Sequence, residues 1–248
     1  GRGMRTPNII TENISALASG RPFEIFGTGI QQEQAWNVGL SYSQAFLLFD
    51  RGATFSADGF YTWFDNKLIG DFYPTQTFFA YYNGGLGNSS SISAIAQVDF
   101  EPIEQLNVRM AYKYLNAQDA FLDGIQTAYR VPGHRAFLNV GYTFGESGWK
   151  VDATYNWFGA QRVPTWVYNE QTNTHLSPSF GLMHAQVNKT FGKNWEVYMG
   201  VDNLLDYRQA NPIVAADRPF SSDFESNAVY APIFGSMIYA GFYYSLSK

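Results

Sequence analysis

Nine segments of this chain alternate between apolar and polar residues, and this pattern constrains the fold more than any other feature. Side chains on a β-strand point to opposite faces with a period of two residues, so each segment has one apolar and one polar face. In Trp149–Phe158 the apolar face carries Trp149, Val151, Ala153, Tyr155 and Trp157. The other segments are Trp36–Leu48, Ala53–Phe64, Ile92–Phe100, Leu106–Tyr114, Ala136–Phe144, Gly181–Phe191, Trp195–Asp202 and Phe234–Leu246. A tilted strand needs about nine to eleven residues to cross a bilayer, so the repetition predicts membrane-spanning strands.

The connections between these segments are alternately short and long. The short ones are Asp50–Gly52, Glu101–Glu104, Gly145–Gly148 and Gly192–Asn194. The long, polar ones are Asp65–Asn88, Asn116–Arg130, Ala160–Pro178 and Leu205–Ala231. Outer-membrane barrels have short periplasmic turns and long extracellular loops. We therefore expect an all-β fold, a transmembrane antiparallel β-barrel with this arrangement of turns and loops.

The composition is consistent with such a barrel. Aromatic residues make up 18% of the chain and charged residues only 15%, and many aromatics fall near strand ends, where interfacial girdles belong. No apolar run approaches the roughly eighteen residues of a transmembrane helix. The net charge of −5 argues against a nucleic-acid partner. Because the chain has no cysteine, disulfides and thiolate metal sites are excluded.

The direction of the strands predicts that this chain is one part of a larger barrel. The first and the last of the nine segments both run from a long loop towards a short turn or the end of the chain. Nine strands with this polarity cannot close an antiparallel sheet with the even strand number of bacterial barrels. We expect residues 1–30 to be the end of a preceding strand with its extracellular loop, and residues 31–248 to be the C-terminal part of the barrel.

Three short motifs resemble signatures of one receptor family. The run at positions 200–208, GVDNLLDYR, resembles the penultimate-strand signature of TonB-dependent outer-membrane receptors, G-x-x-N-L-hydrophobic-[DN]. The opening GRGMRTP is similar to that family's G-x-G-[FM]-R-x-[PA] strand, and IYAGF at 238–242 is similar to its closing strand. The order and separation of the motifs span the chain, which resembles the C-terminal portion of such a receptor, most like those of the Bacteroidota.

The resemblance implies a barrel of about 22 strands with a plugged lumen, located in the bacterial outer membrane. It implies energised uptake of a scarce nutrient such as a metal chelate, cobalamin, haem or a glycan. The implied partners are membrane lipid, an N-terminal plug domain absent from this chain, the remaining barrel strands, the TonB complex and a surface lipoprotein. Two alternatives remain open from the residues alone: a passive porin-like channel, or a structural barrel subunit of a larger outer-membrane assembly.

Candidate ligand-binding residues lie in the long loops. Aromatic side chains near polar anchors can bury ligand surface and fix its orientation, and this mixture occurs at Tyr81, Tyr82, Arg162, Trp166 and Tyr168. The alternative for the loop aromatics is an interfacial girdle with loop packing.

Other chemistry receives no support from the sequence. No nucleophile with its base and no phosphate-binding glycine loop occurs, so we expect no enzymatic activity, catalytic residue or cofactor. The three histidines, His134, His175 and His184, are far apart in sequence, so we expect no metal site. Met183 and His184 are adjacent on a predicted strand and should point to opposite faces.

Overall fold

The computed structural model describes residues 1–12, 14, 22–25, 31–71, 78–82, 87–164, 175–222, 224–226 and 228–246. Within them the strands are β1 (Arg2–Arg5), β2 (Phe23–Ile25), β3 (Glu33–Leu48), β4 (Arg51–Asn66), β5 (Leu68–Asp71), β6 (Phe78–Tyr82), β7 (Ser90–Ile103), β8 (Leu106–Phe121), β9 (Gly124–Thr127), β10 (His134–Thr143), β11 (Trp149–Phe158), β12 (Phe180–Phe191), β13 (Trp195–Asp202) and β14 (Met237–Tyr244). The helices are one turn each, α1 (Ile9–Glu12) and a 3₁₀ turn at Gly145–Ser147. Neither helix is long and apolar enough to span a membrane. This finding carries no information about membrane-spanning strands.

The main sheet is antiparallel and follows the order of the chain. Its strands lie in the order β1-β3-β4-β7-β8-β10-β11-β12-β13-β14, with β9 paired to β8. All nine predicted wall strands are present, so the predicted antiparallel all-β fold is confirmed. The short β1 pairs with the start of β3, from Arg2 opposite Trp36 to Arg5 opposite Glu33. The sheet formed by the described residues is open, with β1 and β14 at its ends.

The pairing of the strands places the apolar side chains on one continuous face of the sheet and the polar side chains on the other. Ala153 lies opposite Val140 on one side and Ala185 on the other, and these residues share the apolar face. Thr154 lies opposite Asn139 and His184 on the polar face. Met183 and His184 therefore point to opposite faces, as predicted. In a plugged barrel the apolar face meets lipid and the polar face lines the lumen.

The short connections form tight turns at one end of the sheet. Phe49 and Asp50 join β3 to β4 with φ angles of 57° and 61°. Positive φ at both central residues is typical of a hairpin turn whose twist matches that of the flanking strands. Gly145, Gly148 and Gly192 also adopt positive φ in two of the other turns at this end. Because successive strands of the main sheet are antiparallel, the short turns share one edge and the long loops leave from the opposite edge.

The strands extend further on the loop side than the alternation predicted. β3, β4 and β8 each have 16 residues, about half more than a tilted strand needs to cross a bilayer. The prediction of Asp65–Asn88 as loop was wrong in part, because β5 and β6 lie within it and form a small sheet with β2. The apolar and aromatic residues of β6 favour strand, although they fall outside the lipid-spanning pattern.

The last strand begins at Met237, three residues later than the predicted Phe234. Ser236 explains the difference, because its backbone N–H donates to Asp206 Oδ1 at 2.9 Å and its hydroxyl donates to the Asn203 carbonyl at 2.7 Å. These bonds hold the residues before β14 against the end of β13 and leave them out of the strand ladder.

Candidate functional site

The loop side of the sheet carries a small buried cluster, here called the apical cluster, formed by Ile69, Tyr81, Phe121 and Tyr129. Tyr81 is 5% exposed, and its hydroxyl donates to Asp71 Oδ2 at 3.0 Å. Burial and the neighbouring Asp71 carboxylate raise the pKa of Tyr81 well above its usual range. The tyrosine is therefore neutral, and it packs the β5–β6 hairpin against the end of β8.

Arg162 covers the apical cluster from the loop between β11 and β12. Its guanidinium carbon lies 4.2 Å from the ring centroid of Tyr129 and 4.9 Å from that of Phe121. Its Nη1 donates to the Thr127 carbonyl at 2.9 Å. Stacking of an arginine on aromatic faces stabilises this contact. The structure thus brings the predicted residues Tyr81 and Arg162 to the same cluster.

The other predicted ligand-binding residues lie elsewhere. The hydroxyl of Tyr82 donates to the Gln31 carbonyl at 2.9 Å and accepts the Gln31 N–H at 3.0 Å, which holds residue 31 against β6. Trp166 and Tyr168 lie outside the described residues. The ligand-binding role of all five residues stays a prediction.

A stack of side chains crosses the polar face where the strands reach the loop side. Arg135 on β10, Phe158 on β11 and Phe180 on β12 lie directly opposite one another in the register. The Arg135 guanidinium carbon is 4.5 Å from the Phe158 centroid, and the Phe158 and Phe180 rings stack at 4.9 Å. Tyr207, which follows β13, stacks on Phe180 at 5.0 Å. Four successive elements therefore contribute one continuous surface.

A pocket of about 380 Å³ opens at this stack and is here called the mouth pocket. It is lined by Arg130, Pro132, Arg135, Phe158, Gln161, Phe180, Leu182, Tyr230, Ala231 and Pro232. Its volume lies within the roughly 300–1,000 Å³ range of small-molecule sites.

Hydrogen bonds to two glutamines hold the wall of the mouth pocket. Gln161 Nε2 donates to the Tyr230 carbonyl at 3.2 Å, and Gln209 Oε1 accepts the Tyr230 N–H at 2.8 Å. The loop before β14 is thereby fixed against the loop after β11.

The electrostatics of the mouth pocket are set by two arginines. Burial lowers the pKa of Arg130, although the nearby Glu225 carboxylate opposes this shift. Arginine keeps its charge under all ordinary conditions, so Arg130 remains a cation. Its backbone N–H donates to the Arg162 carbonyl at 2.8 Å, which connects the mouth pocket to the apical cluster. Arg135 is exposed and lines the pocket.

This combination suits an anionic ligand with planar groups. A guanidinium presents donors in a fork that matches carboxylate and similar paired oxygens, and aromatic rings offer surface for stacking. Sequence reasoning missed Arg130, Arg135, Phe158 and Tyr230. A signal existed for two of them, because Arg135 and Phe158 continue the polar face to its loop end. Tyr230 joins the pocket only through the path of a long loop.

The remaining charged groups of the polar face are partly paired with one another. Arg109 bonds to Asp99 across β7 and β8, and His184 Nδ1 lies 3.0 Å from Asp202 Oδ1. His134 is on the opposite, apolar face, where its Nδ1 lies 2.6 Å from the Tyr112 hydroxyl. The described residues contain no group of three histidine, aspartate or glutamate side chains placed to hold a metal ion.

Comparisons with known proteins agree with this architecture. The sequence profile of the family described as TonB dependent receptor-like, beta-barrel matches residues 1–204. No curated protein matches the chain at a significant level.

Three of the similar solved structures are receptors or transporters. The copper transporter OprC superposes with a TM-score of 0.66 at 15% identity, over 99% of this chain and 36% of its own. The ferric enterobactin receptor PfeA of Pseudomonas aeruginosa, a G324V mutant, gives 0.61 at 12% identity, over 98% and 37%. The ferric-catecholate import receptor Fiu of E. coli K12 gives 0.56 at 15% identity, over 98% and 32%. These likenesses show the fold, and the chain spans about a third of the length of each structure.

Proposed function

Because the chain belongs to the TonB-dependent receptor-like β-barrel family, we propose that it is the C-terminal wall of a receptor that imports a scarce nutrient. The chain is an outer-membrane β-barrel protein. We propose that residues 1–30 are the end of a preceding strand and its loop. A plug domain and the remaining strands would complete the barrel, and the TonB complex would supply energy. A surface lipoprotein partner and the likeness to receptors of the Bacteroidota stay predictions.

The class of ligand that we propose follows from the lining of the mouth pocket. Its two arginines and stacked rings suit an anionic chelate with aromatic or other planar ligating groups. The names of two structural neighbours specify ferric-catecholate and ferric enterobactin ligands, and these are chelates of this chemistry. Among the nutrients considered from sequence, we therefore favour a metal chelate over a neutral glycan. A passive channel would have no need of a site of this chemistry at its mouth.

Binding of a ferric catecholate by the full-length receptor tests this ligand class. Arg135→Gln removes the exposed cation at the pocket but keeps a polar side chain of similar reach. We expect at least about tenfold weaker binding, because hydrogen bonds to a charged group contribute about 1.5–3 kcal/mol. Lys150→Gln is the matched control, since Lys150 lies on the polar face beside the short-turn end, opposite Asn188. Equal effects of the two substitutions would contradict a site at the mouth pocket.

Uptake should depend on energy, whereas binding should not. Cells that bind the ferric catecholate normally should accumulate no iron after dissipation of the inner-membrane proton gradient. Accumulation that continues without the gradient would favour the passive channel instead.

A further inference from the structure

Arg130 has a backbone conformation that is unusual for its residue type. Its φ angle is 58°, which lies in the left-handed region that residues with long side chains rarely adopt. Such a conformation costs free energy and persists only where the surrounding contacts hold it, often beside a ligand site. Arg130 lines the mouth pocket, whereas the ring of the preceding residue, Tyr129, packs in the apical cluster. Two neighbouring side chains of this turn are therefore directed to two different places.

The backbone of Arg162 holds the turn at Arg130. The Arg162 carbonyl oxygen accepts the Arg130 N–H at 2.8 Å. Arg162 also pairs with Leu176 in an antiparallel bridge at the base of its own loop. The next residue, Val163, is 2% exposed, and its N–H donates to the His175 carbonyl at 2.9 Å. The acceptor for the Arg130 N–H therefore belongs to a closed and anchored loop base.

The side chain of Arg162 holds the residues that precede Arg130. Its guanidinium carbon lies 4.2 Å from the ring centroid of Tyr129 and 4.9 Å from that of Phe121. Its Nη1 donates to the carbonyl of Thr127, the last residue of β9, at 2.9 Å. Arg162 therefore fixes Tyr129 with its side chain and Arg130 with its carbonyl.

The same contacts direct the Arg162 side chain away from a ligand in the mouth pocket. Arg162 is not among the described residues that line this pocket. A guanidinium that stacks on two rings and donates to a backbone carbonyl is engaged in contacts within the protein. The preceding residue, Gln161, does line the pocket, and its Nε2 donates to the Tyr230 carbonyl at 3.2 Å. Residues 161 and 162 thus each hold one residue of the lining, Tyr230 and Arg130.

We propose that Arg162 is a positioning residue, which holds the Arg130 guanidinium at the mouth pocket and does not itself contact the ligand. This inference rests on the proposed function, since it requires an anionic chelate in the pocket. The donors of a guanidinium form a rigid fork that pairs with two oxygens only when it is correctly oriented. The backbone conformation of Arg130 therefore decides whether its donors meet the ligand. The ligand contact expected of Arg162 from the sequence falls to Arg130 instead.

The first measurement is amide hydrogen exchange at Arg130 in the full-length receptor without ligand. Arg162→Ala removes the stack on Tyr129, so exchange at Arg130 should become at least about fivefold faster, because fewer contacts oppose local opening of the turn. Tyr129→Phe keeps a ring for the guanidinium and should exchange like the wild type, whereas Tyr129→Leu should resemble Arg162→Ala. Arg51→Ala is the matched control, since Arg51 pairs with Glu101 at the short-turn end of the sheet.

The second measurement is a double-mutant cycle for binding of a ferric catecholate. Arg130→Lys keeps a positive charge near Glu225 but removes the guanidinium fork. Arg162→Ala should weaken binding at least about fivefold in the wild-type background and less than about twofold in the Arg130→Lys background, because residues that act through one another are not additive. Heat-dependent electrophoretic mobility reports that each barrel is folded.

Unchanged exchange at Arg130 in Arg162→Ala overturns the proposal. An equal loss of binding in both backgrounds also overturns it, since Arg162 would then contact the ligand directly. Arg135→Gln separates these outcomes from a failure of the proposed function. Unweakened binding by Arg135→Gln would contradict the mouth pocket as the ligand site, whereas the exchange at Arg130, which is measured without ligand, still decides whether Arg162 holds Arg130.

Discussion

At the scale of single residues, the motif that follows β13 acts as a structural turn. Asn203 adopts a φ of 50°, and its side chain accepts the Tyr207 N–H at 3.1 Å and donates to the Tyr207 carbonyl at 2.8 Å. Asparagine is one of the few residues that tolerate this backbone region. The sequence identified the motif as a family signature. Its role in shaping the loop before β14 follows only from these bonds.

Gly148→Ala should destabilise the barrel. Gly148 adopts a φ of 73°, and an added Cβ atom would lie 2.7 Å from the backbone carbonyl oxygen of Thr190. A side chain held in this left-handed backbone conformation costs about 1–3 kcal/mol. Urea unfolding of the refolded protein measures the loss. Gly59→Ala is the control, because its added methyl group meets open space, and equal losses in both variants would contradict this reasoning.

Asp206 and Arg208, in the turn after β13, form an ion pair at 2.9 Å that should make this turn sensitive to acid. Hydrogen bonds from Arg208, and to a smaller extent from the Ser236 N–H, lower the pKa of Asp206 below its ordinary value. A lowered pKa in the folded state means that the stabilisation is present above the ordinary pKa and is lost as the pH falls through the lowered one. Asp206→Asn should therefore lose less unfolding free energy than the wild type between about pH 6 and about pH 2.5. If the wild type and Asp206→Asn lose the same unfolding free energy over this pH range, Asp206 contributes nothing to the acid response.

At the scale of elements, the alternation was sufficient to predict the wall strands. Strand geometry imposes the period of two residues. A shift of the strand pairing by one residue would turn all apolar side chains of a strand towards the lumen and its polar side chains towards lipid. The position of Ala153 opposite Ala185 follows from this constraint. The extensions of β3, β4 and β8 could not be predicted in the same way, because outside the bilayer both faces are in water and the alternation carries no information.

Two adjacent positions on β11 test the assignment of the faces. Ala153 points to lipid near the middle of the strand, and Thr154 points to the lumen. Ala153→Arg should cost about 2–4 kcal/mol of folding free energy, the range for arginine near the bilayer midplane. Thr154→Arg should cost much less, because the new charge reaches water. Folding titrations into lipid vesicles compare the two, and similar costs would show that the faces are assigned wrongly.

At the scale of the whole molecule, the candidate site depends on how distant loops meet. Arg135 comes from a strand, whereas Tyr230 comes from a loop almost a hundred positions later. No periodicity relates such positions. The sequence could therefore predict that loops bind ligand, but it could not predict which residues come together in the mouth pocket. The burial of Tyr81, whose aromatic ring suggested a ligand contact, could not be predicted for the same reason. Its burial against Ile69 and Phe121 depends on contacts between separate elements.

Deletion of the segment 166–174, with a short glycine-serine bridge, should impair ligand binding while leaving the barrel intact. Backbone bonds close the base of this loop, from the Val163 N–H to the His175 carbonyl and from the Ser177 N–H to the Gln161 carbonyl, each at 2.9 Å. The deletion therefore removes Trp166 and Tyr168 but keeps the base that holds Gln161 at the mouth pocket. Binding of a ferric catecholate and its energised uptake should be measured separately in the full-length receptor, together with the amount of folded barrel in the membrane. Weaker binding at a normal barrel level would assign the loop to ligand capture. Normal binding and uptake would exclude a role for Trp166 and Tyr168 and leave the mouth pocket, the plug or the remaining wall to hold the ligand.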